Sequence, residues 1–156
     1  SNAEPSYPIQ LAALPGGGYA AVYNDTRDDQ RGLWFAESAD GVVWTETPVD
    51  IASNTGRSAS MALDPWGRPV VAYGACNDAN SVACDPQRDG VRLARWDGRS
   101  WSLTAVDGGG SSEAAEGATV ALAIDSEGMP WVAFSRDRYD GATDTTLSEL
   151  RVVRGR

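Results

Sequence analysis

Residues 61–74 read MALDPWGRPVVAYG and residues 122–135 read LAIDSEGMPWVAFS, so Asp64, Gly67, Pro69 and Ala72 recur as Asp125, Gly128, Pro130 and Ala133 at a constant offset of 61. A fainter copy, LAALPGGGYAAVYN, puts Gly17 in the place of Gly67 and Tyr23 in that of Tyr73. A second motif keeps step with the first. Asp40-Gly41-x-x-Trp44 is followed by Val49-Asp50, and Asp97-Gly98-x-x-Trp101 by Val106-Asp107, at the same internal spacing. Two motifs recurring in fixed order require a fold built of repeated units.

The unit is a β-meander. SASMALD and ATVALAI alternate small or polar with apolar residues and break at Asp-x-x-Gly, a turn whose glycine accepts positive φ. PVVAY and PWVAF are rich in β-branched and aromatic residues, with proline at the first strand position, where it is tolerated. LWFAESA and VRLARW predict a third strand, Asp-Gly a tight hairpin turn, and VWTETPV or SWSLTAV a fourth. No stretch holds a 3.6-residue apolar period, and SSEAAEG is at most one helical turn. Four antiparallel strands per unit of about 50–60 residues have the size and content of a propeller blade. The expected fold is therefore all-β and β-propeller-like, with blade 1 at 7–50, blade 2 at 57–107 and an incomplete blade 3 at 117–156. Ser1-Asn2-Ala3 reads as a tag remnant.

Charge and composition exclude several functions. The net charge of −9 argues against a nucleic-acid partner or an anionic membrane surface, both of which need clustered positive charge. No apolar run reaches the roughly 18 residues of a spanning helix, so no membrane insertion is expected. All 13 basic residues are arginine, so histidine bases, histidine metal ligands and lysine Schiff bases are absent from the chain. Two cysteines, Cys76 and Cys84, are too few for a structural zinc site. Read as a disulfide closing a short polar loop, they imply an oxidising compartment: extracellular, cell-surface or periplasmic.

The stretch SADGVVW at 38–44 resembles the Asp-box turn of sialidase-type (BNR) repeats, shortened by one residue between Asp and Gly. The whole unit is similar to repeats of exported bacterial β-propeller proteins, over nearly all of residues 7–156. The resemblance implies architecture more than activity, because the Asp box is a folding element remote from the sialidase active site.

In a propeller the turns between strands one and two, and three and four, share one end; here they are short. The other end receives NDTRDDQRG, GACNDANSVACDPQRDG and SRDRYDGATDTTLS. Long polar connections carry function more often than strands do. They nominate Asp25, Arg27, Asp28, Asp78, Asp137, Arg138, Tyr139 and Asp140 as ligand-binding residues, for a carbohydrate or protein ligand. The expected function is a non-catalytic extracellular binding module. The alternative is a sialidase-like glycoside hydrolase, for which the resemblance implies clustered arginines and a Tyr/Glu nucleophile pair. Arg27, Arg136, Arg138 and Tyr139 fit part of that scheme, but none of the three connections contains glutamate. No cofactor is expected. Calcium is the one alternative, with Asp137, Asp140 and Asp144 as oxygen ligands around Gly141, at a spacing unlike an EF-hand. Trp44, Trp101 and Trp131 recur within strands, which predicts packing between blades rather than sugar stacking.

LSELRVVRG supplies a third strand to blade 3, and the sequence stops before a fourth. Fewer than about four blades do not close a ring. The expectation is a piece of a longer propeller whose isolated chains associate, a two-fold homodimer approaching a six-bladed ring, with strand exchange as the competing arrangement.

Overall fold

The computed structural model describes residues 8–27, 31–51, 54–76, 90–108 and 114–155. Among them there is no helix, hence none long and apolar enough to cross a membrane. The described residues form eleven strands in three antiparallel sheets. Sheet 1 runs β1 (Gln10–Ala13), β2 (Tyr19–Asp25), β3 (Gly32–Ser38) and β4 (Thr45–Asp50). Sheet 2 runs β5 (Asn54–Leu63), β6 (Pro69–Cys76), β7 (Gly90–Trp96) and β8 (Trp101–Gly108). Sheet 3 holds β9 (Ala114–Ile124), β10 (Pro130–Asp140) and β11 (Thr145–Arg154). Every ladder joins sequence neighbours, and successive sheets stack with their first strands side by side, as propeller blades do.

The strand period of two decides which side chain meets which sheet. On β6, Val71, Tyr73 and Ala75 face sheet 1, where they pack with Val22, Leu33 and Phe35. Their neighbours Val70 and Ala72 face sheet 3 and pack with Val120, Val132 and Phe134. A strand buried on both faces needs an unbroken apolar run, which is why PVVAY shows no alternation. Trp101 lies edge-on to Phe35 with ring centroids 5.4 Å apart, so this tryptophan does join two sheets.

The three turns between first and second strands share one geometry. Asp64 N–H donates to Arg68 O, and Gly67 N–H to Asp64 O; Asp125, Met129 and Gly128 repeat the pattern. Each aspartate then accepts two backbone N–H groups on Oδ1, from Trp66 and Arg68 at 2.9 Å, and from Glu127 and Met129 at 3.0 and 2.8 Å. In sheet 1 Leu14 replaces the aspartate, yet the same backbone bonds form from Leu14 to Gly18 and from Gly17 to Leu14. Consecutive glycines at φ 93° and 86° make that possible without the carboxylate. These turns also touch one another: Pro15 abuts Gly67, and Pro65 with Trp66 abuts Gly128.

Two expectations need correction. SRDRYDGATDTTLS is mostly ladder: β10 and β11 pair from Trp131↔Arg154 out to Asp140↔Thr145, leaving only Gly141–Asp144 as a turn. Tyr139 and Thr146, both good strand formers, are cross-strand partners there, and Asp144 takes the left-handed conformation (φ 52°) that aspartate tolerates. The SSEAAEG segment is also no helical turn where it is described. Ala114, Ala115 and Glu116 pair with Arg138, Asp137 and Arg136. Long-range pairing overrides the local helix preference of Ala and Glu.

Candidate functional site

The chain directions bring the ends of β2, β4, β6 and β10 and the starts of β3, β5 and β7 to one end of their sheets. At this end, Asp25 is fully buried. Its carboxylate takes Arg27 in a fork: Nε at 3.1 and 3.0 Å from the two oxygens, Nη2 at 2.6 Å from Oδ2, with the Arg27 backbone N–H adding a bond of 3.0 Å. Such a bidentate pair is rigid. It fixes the Arg27 side chain, 27% exposed, at the rim.

Beside it lies a polar seam between sheets 1 and 2. Tyr73 Oη donates to Asp50 Oδ2 at 2.8 Å, and Arg92 Nη1 donates to the same oxygen at 2.9 Å. Burial, and next the charge of Asp50, push the Tyr73 phenol above the usual tyrosine range. It therefore stays protonated at neutral pH and donates to Asp50. Asn24, also buried, donates through Nδ2 to Thr55 O and weakly to Gly32 O at 3.5 Å, while its Oδ1 finds no hydrogen-bond partner. Thr55 Oγ1 donates in turn to Asp50 O. The seam was not foreseen. Its signal lay in the recurrence of Val-Asp at the end of the fourth strand, where the aspartate repeats at a fixed distance from the Asp-Gly turn.

Of the residues nominated from sequence, Asp25 and Arg27 are brought together. Asp28, Asp78 and Cys84 lie outside the described residues, and the expected Cys76–Cys84 bridge with them, although the Cys76 backbone ends β6. Asp137, Arg138, Tyr139 and Asp140 occupy the far part of β10, at four consecutive positions of the β10–β11 ladder, with Asp144 in its turn. Among the described residues no three His, Cys, Asp or Glu side chains cluster as metal ligands.

The opposite end carries a cleft of about 430 Å³ in sheet 1, lined by Leu14, Glu37, Ser38, Asp40, Val43 and Thr45 among others. Most of its polar groups serve the turn itself. Asp40 Oδ1 accepts the N–H groups of Val42 and Val43 at 2.8 and 3.0 Å and the Ser38 hydroxyl at 3.1 Å. Asp97 Oδ1 does the same for Arg99 and Ser100, both at 2.7 Å. These backbone donors hold both carboxyls below the ordinary aspartate range. Trp44 Nε1 donates to Gly41 O at 3.2 Å, closing its own turn. On the same end Trp66 is 70% exposed, with the Arg68 guanidinium 4.7 Å from its ring centroid.

No protein-family model matches the chain, and no curated protein matches it. Solved structures do. A fucose lectin from Kordia zhangzhouensis, in complex with methyl-fucoside, superposes with a TM-score of 0.53 at 13% identity, over 95% of this chain and 97% of that one. A Hadza microbial sialidase gives 0.54 at 17% identity, over 94% of this chain but 34% of the sialidase. A protein of unknown function from Dyadobacter fermentans gives 0.56 at 14% identity, over 94% of this chain and 48% of that one. At such low identities what is shared is the fold: stacked antiparallel sheets of the kind found in a lectin and in a sialidase.

Proposed function

We propose that this chain is a non-catalytic carbohydrate-binding module of an exported protein, with its ligand at the end where the long polar connections emerge. The observation that carries the reading is the likeness to the fucose lectin across 97% of that chain, whereas the sialidase is matched over only 34% of its length. The chemistry at the Asp25 end supports it. Sugar hydroxyls need fixed charged donors and acceptors, and buried Asp25 holds Arg27 rigid where the chain turns into its polar connection. Asp28, Asp78, Asp137, Arg138, Tyr139 and Asp140 are the further residues that the sequence nominates for this ligand.

Titration calorimetry against methyl-fucoside, a sialoside and unrelated monosaccharides tests this reading. Saturable binding of one sugar is expected, weakened about tenfold or more by Arg27→Gln in an Asp25→Asn background, which leaves no unpaired buried charge. Release of free sialic acid from a sialoside would overturn the non-catalytic reading. Lack of binding to any glycan on an array would overturn the carbohydrate.

A further inference from the structure

The stacking of sheets uses two different faces of each sheet, and the ends of the stack leave one of each kind open. The face that sheet 1 offers to sheet 2 is built from Ala20, Val22, Leu33 and Phe35. The matching ladder positions of sheet 2, Val70, Ala72, Val91 and Leu93, are what sheet 2 offers to sheet 3. The same positions of sheet 3 are Trp131, Ala133, Leu150 and Val152. They meet no further sheet among the described residues: Leu150 is 78% exposed, Val152 57% and Trp131 42%.

The receiving face shows the same continuity. Sheet 2 receives with Met61, Val71 and Ala94, and sheet 3 with Leu122, Val132 and Val153. The equivalent ladder of sheet 1 is Leu11, Ala21 and Ala36; the two small alanines are buried within the chain, and Leu11 beside them stands 65% exposed. The inner turns repeat the relation. Pro15 covers Gly67 and Pro65 covers Gly128, while a Cβ at Gly16 or Gly17 would meet nothing within 4 Å. Ser126 holds the place of Pro15 and Pro65 in the third turn.

We infer that the open face of sheet 3 seats on the outer face of sheet 1 of a second copy, around Leu11, head to tail. Each copy carries both halves of a contact that its own chain already makes twice, so the occupant that fits is another copy of this chain. The described residues of two copies bring three sheets each, and a ring of six falls within the roughly four to eight blades that propellers close with. Closure makes both new contacts identical and buries all four open faces at once, where a non-closing contact of this type would run on as a filament. The inference is independent of the ligand proposed above.

Light scattering on the full chain tests it, and a mass of two chains is expected. Leu150→Glu, at a side chain already exposed in one copy, is expected to give one-chain mass with an unchanged far-ultraviolet circular dichroism spectrum. A crosslink reads the orientation. Gly16→Cys chains mixed with Ser126→Cys chains are expected to form an oxidised heterodimer, while neither variant crosslinks at that position with itself. A wild-type chain that stays monomeric, a dimer that survives Leu150→Glu, or a Ser126→Cys chain linking to itself would each overturn the proposal. So would a mass above two chains.

Discussion

Tyr73 and Phe134 hold the same place in successive sheets and differ by one hydroxyl, which sheet 2 uses to reach Asp50 across the seam. Tyr73→Phe leaves the ring packing intact and removes one donor to a buried carboxylate. A loss of about 1–3 kcal/mol is expected by urea denaturation, because Arg92 still pairs with Asp50. The turn aspartates predict a pH dependence. Asp40, Asp97 and Asp125 all sit below their ordinary range, with backbone N–H groups the largest cause in each. A carboxyl depressed on folding stabilises above its unfolded pKa of about 3.9 and loses that contribution as pH falls through the folded value. The urea midpoint is therefore expected to fall steadily from about pH 5 downward, and Asp97→Ala to shallow that decline. An unchanged acid limb in Asp97→Ala would show that these bonds do not distinguish the folded state.

At the scale of turns and strands, the sequence is most readable where a side chain and a backbone conformation are required together. Asp-x-x-Gly-x-Pro announced two turns because the carboxylate caps the N–H groups and the glycine takes positive φ. The first turn was legible only through Gly17 and Tyr23, since Leu14 had replaced the capping group. Its glycines carry more of the load in consequence. A Cβ at Gly18 would strike the backbone oxygen of Ser38, so Gly18→Ala is expected to cost more than about 1 kcal/mol, measured by thermal unfolding. The β10–β11 extension was hidden because Arg, Asp and Thr outnumber its apolar residues. Backbone pairing with β9 and β11 holds it, and that leaves no alternation to read. The candidate site was half legible. Loop polarity picked out Asp25 and Arg27, but not that one is buried to hold the other. The Asp50–Tyr73–Arg92 seam joins residues 23 and 42 positions apart and had no local signal beyond the Val-Asp repeat.

For the molecule as a whole, stability resides in the two layers between sheets. Trp101→Ala removes the ring that leans on Phe35 and is expected to cost about 3 kcal/mol, read from the shift in urea midpoint. The pairing of each strand with its sequence neighbours, described above as a meander, also fixes how the molecule comes apart. Nothing in a sheet waits for a distant part of the chain, so each sheet opens as a unit, and its opening cost depends on how many neighbours it leaves behind. Sheet 2 must shed two partners, sheets 1 and 3 one each. In a single copy, as Leu150→Glu is expected to give, amide protons should therefore trade with deuterium in a graded order, earliest in β1 and β11 and last in β6 and β7, so that the lone chain frays from its ends like a short stack of cards.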